Sequence, residues 1–197
     1  MAVAKEALSE DARLIDAALS DYLPQVAENA GELGAAMRHS LVGGKRLRGV
    51  IVRRAASTFG LDPDAVMPTA CAFEMLHAAT LVHDDLPTID DSDLRRGRPS
   101  CHVAFDEPTA LLAGDALIIA AFEALARQGL NGSGESALQV IAEFAESTGA
   151  SGLIGGEQAD ILAEGLEPDE ELVRYIHLNK TAKLICGACR AGALLAD

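Results

Sequence analysis

"TACAFEMLHAATLVHDDLPTIDD", residues Thr69–Asp91, decides how this chain folds. It is mostly apolar as far as Val82 and reads as a helix with a buried stripe. Pro87 ends it, because proline has no N–H to donate and its ring crowds the preceding turn. Asp84 and Asp85 close the helix, and Asp90 and Asp91 follow as a second pair. Carboxylates at a helix C-terminus oppose the macrodipole, so such an end needs a cation. In a straight helix residues 84 and 90 point in different directions, being six apart at 3.6 residues per turn. A break at Pro87 lets Asp90 swing back beside Asp84. Two carboxylate pairs with few nitrogen or sulfur neighbours suit Mg2+, which takes one or two carboxylates and completes its shell with water and phosphate. His77 stands seven residues before Asp84, on the same face, with Thr80 and Leu81 between them.

Helical periodicity extends outward from this stretch almost everywhere. A first helix is expected from about Lys5 to Leu23. Two more should meet at Gly43-Gly44, the second ending at Gly60. Asp62 and Pro63 read as N-cap and first residue of the Asp84 helix. After a loop to about Glu107, helices follow over roughly Pro108 to Gln128 and Ser136 to Ala163, separated by a turn at "NGSGES". A last one runs from Pro168 nearly to the end. No strand pair is evident. With 49% apolar residues but only 4% aromatics and no Trp, the composition favours packed helices over strands. The expectation is an all-α chain of one domain spanning 1–197.

The formal charge of −14 argues against a nucleic-acid binder, which needs clustered excess Lys and Arg. Against that background the basic residues are concentrated. Six of the sixteen lie in "GGKRLRG" (Lys45, Arg46, Arg48) and "DLRRGRP" (Arg95, Arg96, Arg98). With the acidic helix end and the apolar stripe beneath it, they describe a diphosphate site above an apolar pocket. The N-terminus has no secretory pattern. The stretch "ALLAGDALIIAAFEALA" is too short and too charged for a membrane span. Location therefore defaults to the cytoplasm. Cys186 and Cys189 have C-x-x-C spacing, but no second ligand pair accompanies them, and they read as small buried residues of a helix.

"GGKRLRG", "HAATLVHDDLPTIDDSDLRRGRPSCHVAFDE", "LLAGDAL", "GLIGGEQADI" and "HLNKTAKLI" resemble, in this order, the trans-isoprenyl diphosphate synthases, in the farnesyl and geranylgeranyl branch. The resemblance implies an antiparallel helical bundle of the isoprenoid synthase type and a homodimer. It implies Mg2+-dependent condensation of an allylic diphosphate with isopentenyl diphosphate. Asp84 and Asp90 match the metal ligands, supported by Asp85 and Asp91. Arg95 matches the arginine on the allylic diphosphate. Lys45, Arg48, His77 and Arg96 match the isopentenyl diphosphate residues, and Lys180 and Thr181 those near the leaving group. Ala79 and Thr80 match the positions that limit product length. Being small, they point to geranylgeranyl rather than farnesyl diphosphate as the product. Two departures accompany the match. Glu157 replaces a glutamine, with Gln158 available by a local shift. The family's second aspartate-rich motif belongs downstream of "NKT", and the sequence reaches Asp197 before it, so a bundle incomplete at its C-terminal end is expected.

Two other classes stay open on the residues. His83-Asp84 resembles the pair of helical metal-dependent phosphohydrolases, with His39, His77, His102 and His177 as possible further ligands. A non-catalytic helical subunit is the other.

Overall fold

The computed structural model describes residues 2–130, 134–167 and 169–197. They are all-α apart from one short hairpin, in agreement with the composition. The chain divides into two compact units, one formed by the chain up to Val50 with Met67–Arg127, the other by Ile51–Val66 with the chain from Gln128 on.

In the first unit the elements are α1 (Ala2–Ala18), α2 (Leu33–Leu41), the start of α3 (Leu47–Thr58), α4 (Met67–Asp84), β1 (Leu94–Arg95), β2 (Arg98–Pro99), α5 (Cys101–Ala104) and most of α6 (Glu107–Leu130). Helix α4 is the core element. Ala70, Cys71, Ala72, Phe73, Met75 and Ala79 are fully buried along it, with α1 and α2 packed against it. Only its last two turns open out, at His77, Thr80, Leu81, His83 and Asp84, which are half-buried.

The second unit is built on α7 (Gly134–Thr148), with α8 (Leu153–Ala163), α9 (Glu170–Ile176), a π-helical stretch His177–Ala182 and α10 (Lys183–Leu194). Val140 and Phe144 of α7 and Leu184, Ala188 and Ala191 of α10 form its interior, and α10 packs on α7. Small residues set these approaches. A Cβ on Gly192 would stand 2.2 Å from the carbonyl oxygen of Val52.

Several boundaries differ from those expected. The first helix is α only to Ala18 and tightens to a 3-10 turn over Leu19–Tyr22. Pro63–Val66 is likewise a 3-10 turn ahead of α4, with Asp62 Oδ1 accepting from the N–H of Asp64 at 3.0 Å. The expected helix from Ser136 to Ala163 is two helices, broken at Gly149–Gly152, a turn so tight that a Cβ on Gly152 would meet Ser147 O at 2.3 Å. The last helix contains the π turn. Residues 131–133 of the "NGSGES" turn and the Pro168 start lie outside the described residues. Cys186 and Cys189 are exposed, contrary to the buried reading, whereas Cys71 and Cys101 are buried.

By length and hydropathy, Pro63–Asp84 and α6 are each long and apolar enough to cross a membrane, so the charge argument against α6 was too strict. In Pro63–Asp84 that apolarity is used inside the protein, where 72% of the window is buried. The α6 window is only 44% buried. Leu112 and Ile119, two turns apart, are exposed on α6.

Candidate functional site

Helix α4 stops at Asp84 because Pro87 cannot continue its ladder. The chain then folds back on itself. Leu86 N–H bonds to His83 O at 3.1 Å, Asp90 N–H to Asp84 O at 2.8 Å, and Ser92 N–H to Asp85 O at 3.2 Å. Residues six apart are thereby joined, and Asp90 returns to the helix end that carries Asp84. Asp91 allows the turn by adopting a left-handed conformation with φ 49°. Asp84 is half-buried, and Asp90 and Asp91 are exposed. Asp85 points inward, 2% exposed, and accepts from Arg95 Nε at 3.0 and 3.1 Å as well as from an Arg95 terminal nitrogen. The hydrogen bond to Asp85 raises the Arg95 pKa, and the charges of Asp84 and Asp90 add to it.

The hairpin that was not foreseen presents the arginines. Leu94 pairs with Pro99 and Arg95 with Arg98, joined by Arg96 and Gly97. Both have positive φ, 54° and 76°, as a two-residue type I′ turn requires. Arg96 donates to Gly43 O at 2.8 Å. Its guanidinium lies so close to Gly44 that a Cβ there would meet Cζ at 2.8 Å. The two basic segments, distant in sequence, therefore touch. Lys45, Arg48, His77, Arg95 and Arg96 line one cavity of about 450 Å3, together with Arg46 and Glu74.

These cations are crowded. Burial lowers the pKa of Arg48, Glu74 opposes that, and Arg96 adds to it. Burial also lowers Arg96, with Arg46 adding. Burial pushes His77 down to about 3, and Arg48, Arg96, Arg46 and Arg95 push it in the same direction. His77 is therefore a neutral hydrogen-bonding group at neutral pH. An unfolded chain takes up this proton near pH 6.5, about 3.5 pH units before the folded one. The His77 contribution to stability is accordingly complete above 6.5 and is lost as pH falls toward 3. Between pH 6.5 and 4.5 we expect His77→Gln to lose about 2 kcal/mol less stability than the wild type. Urea unfolding at both pH values measures this, and parallel losses in the two proteins would contradict it.

Ala79 is fully buried on α4, and Thr80 is half-buried with its hydroxyl donating to His77 O at 3.0 Å. His83 is engaged with α6, its Nε2 3.2 Å from Leu111 O and 3.7 Å from Asp115 Oδ1. Those contacts give no support to a His83-Asp84 metal pair. His39, by contrast, meets the hairpin, with Nε2 2.9 Å from Pro99 O.

Lys180 and Thr181 belong to the second unit, in the π-helical stretch. Lys180 Nζ donates to Glu157 Oε1 at 3.0 Å and to Asp160 Oδ2 at 2.5 Å. Burial works against its charge, but these two carboxylates more than offset it and hold its pKa above the usual lysine range. Glu157 itself takes the position facing Lys180, and Gln158 is exposed. Thr181 is exposed.

Among the described residues no group of three or more His, Cys, Asp or Glu is placed to hold a metal. Asp84 and Asp90, two oxygen donors on one folded-back turn, nevertheless fit Mg2+, which needs no more than one or two carboxylates from the protein. Glu74 is the residue that sequence reasoning missed. It was legible as the one acid in an apolar run, since a carboxylate buried there requires partners.

Residues 31–197 match the family model for polyprenyl synthetase. The chain is 43% identical over 161 residues to a chloroplastic geranylgeranyl pyrophosphate synthase of Catharanthus roseus, covering 81% of the chain and 45% of that relative. It is 38% identical over 190 residues to the farnesyl diphosphate synthase of Geobacillus stearothermophilus, covering 95% and 64%. The chain thus spans less than two thirds of the length of these relatives. The structure superimposes with a TM-score of 0.93 and 34% identity on an FPP/GFPP synthase from Zymomonas mobilis, covering all of this chain and 72% of the other. The motifs, the helical fold and these matches agree, and the chain belongs to the polyprenyl synthetase family.

Proposed function

We propose that this protein is a prenyltransferase that joins an allylic diphosphate to isopentenyl diphosphate with Mg2+. The observation that carries the reading is the cavity between the two basic segments. It is walled by five cationic side chains, and Glu74 is the single carboxylate among its lining residues. In a chain of net charge −14, so local an excess of positive charge suits a polyanion. Two anionic substrates repel each other in water, and fixed cations remove most of that cost as they are brought together.

In this reading Lys45, Arg48, Arg96 and neutral His77 hold the diphosphate of isopentenyl diphosphate. Arg95, oriented by buried Asp85, neutralises the diphosphate that leaves the allylic carbon as its C–O bond breaks. Bound at Asp84 and Asp90, Mg2+ would supply further compensation of that developing charge. The isopentenyl double bond attacks the resulting cation, and loss of a proton to the departed diphosphate completes the new alkene. In the second unit Lys180 stays charged under its two carboxylates, the state required of a residue that meets a phosphate. The test is to incubate the natural protein with Mg2+, isopentenyl diphosphate and an allylic diphosphate, either dimethylallyl, geranyl or farnesyl. Chain-elongated product is expected, and phosphate release without elongation would reject the reading.

We favour a twenty-carbon geranylgeranyl product, with farnesyl diphosphate as the alternative. Ala79 and Thr80, about one and a half turns and one turn before Asp84, carry no ring to limit chain growth. Relatives are named for geranylgeranyl and for farnesyl synthesis alike, so the choice rests on these two residues. Ala79→Tyr is expected to shift the product to fifteen carbons while turnover continues. A folded variant that still makes the twenty-carbon product would exclude Ala79 as a ruler. We also propose a homodimer that covers the exposed apolar residues of α6, Leu111, Leu112 and Ile119.

A further inference from the structure

We propose that Arg46 and Glu74 form a buried clamp that positions Lys45 and Arg48, and that this clamp sets how tightly the cavity binds diphosphate. The inference rests on reading that cavity as a diphosphate site. Lys45, Arg46 and Arg48 are near neighbours in sequence, yet the structure treats them differently. Lys45 is exposed and Arg48 half-buried, whereas Arg46 is only 3% exposed and has a left-handed backbone with φ 50°. A residue without a glycine's freedom holds that conformation only when its surroundings fix it.

Three hydrogen bonds and one longer ion pair, beyond hydrogen-bond reach, fix it. Arg46 donates through Nε and a terminal nitrogen to Asp16 Oδ1, at 2.9 and 2.5 Å. The same terminal nitrogen donates to Leu41 O at the end of α2. The other terminal nitrogen lies 3.9 Å from Glu74 Oε2. Glu74, 2% exposed, accepts the N–H of Gly49 through Oε1 at 2.9 Å. The loop is thus tied at its centre by Arg46 and at its far end by Gly49, and Lys45 and Arg48 line the cavity on either side of that tie. Gly49 permits the tie, since a Cβ there would meet Ile15 Cδ1 at 2.9 Å and Ala70 O at 3.0 Å.

The proposal makes a prediction of opposite sign to the simple electrostatic one. Glu74 is a negative charge in the wall of an anion pocket. If it acted only through space, Glu74→Gln would strengthen diphosphate binding. As a positioning residue its loss releases Arg46 and the Gly49 end of the loop, and binding weakens. Asp16 lies at the outer end of the same clamp and is 60% exposed, so Asp16→Asn tests the clamp with little risk to folding.

The experiment is calorimetric titration of the full chain with inorganic diphosphate and with isopentenyl diphosphate, alongside thermal unfolding of each variant. We expect Glu74→Gln to weaken binding of both by about tenfold or more, and Asp16→Asn by about threefold with little change in unfolding temperature. Binding that is unchanged or tighter in both variants overturns the clamp while leaving the diphosphate site intact. Loss of unfolding temperature without loss of affinity assigns the pair to structure alone and also overturns it. If the wild type binds neither ligand, the diphosphate reading itself fails, and the clamp with it.

Discussion

Asp84→Asn is expected to lower Mg2+-dependent condensation in the natural protein by about a thousandfold, on the scale of losing one group aimed at developing charge. Asn keeps the size of the side chain and the backbone carbonyl that receives the N–H of Asp90 at 2.8 Å. It removes the anionic oxygen that a hard divalent ion requires. The fold should therefore survive while the chemistry does not. Asp90→Asn should behave in the same way. Asp91→Asn tests a supporting position that is not itself a ligand. Asp91 is exposed and left-handed, a conformation that Asn also tolerates, so its rate should stay within about threefold of wild type. Steady-state incorporation of labelled isopentenyl diphosphate measures all three. If Asp84→Asn kept a tenth of the activity, the acidic turn could not be the metal site, because a neutral amide is a poor substitute for a carboxylate there.

Gly156→Ala should destabilise the second unit by roughly 3 kcal/mol, the upper part of the range for overpacking a tight interior. The added Cβ would lie 2.2 Å from the backbone nitrogen of Lys180 and 2.8 Å from the carbonyl carbon of Asn179. Both are main-chain atoms, so no side-chain rotation can relieve the clash. Either α8 or the π-helical stretch must move. Movement of either separates Lys180 from Glu157 and Asp160, which hold it at 2.9 and 2.5 Å. Urea unfolding gives the stability change. An unchanged midpoint would mean that the two segments do not approach as closely as the structure places them.

Much of this protein was legible in its residues because local rules decide it. Pro87 stops α4 by its missing N–H, and the turn that follows brings Asp90 back to Asp84. The apolar run before it is buried because little in it can hydrogen-bond outward. The two basic segments were identifiable because positive charge is scarce in this chain and therefore conspicuous where it gathers. The expected all-α class follows from the same small, apolar composition.

Tertiary structure alone decided which of these cations is buried against carboxylates. "GGKRLR" does not say that Arg46, rather than Lys45 or Arg48, is engaged by Asp16 and Glu74, since that choice depends on carboxylates thirty residues earlier and twenty-eight later. Nor could the strand signal of Leu94–Arg95 and Arg98–Pro99 be read, at two residues each. The hairpin depends on Asp85 receiving Arg95 and on Gly43 receiving Arg96. The split of the expected Ser136 to Ala163 helix and the close passage at Gly156 have the same origin. Sequence periodicity reports which face of a helix is apolar, but how near another backbone comes is set by packing between segments far apart in the chain.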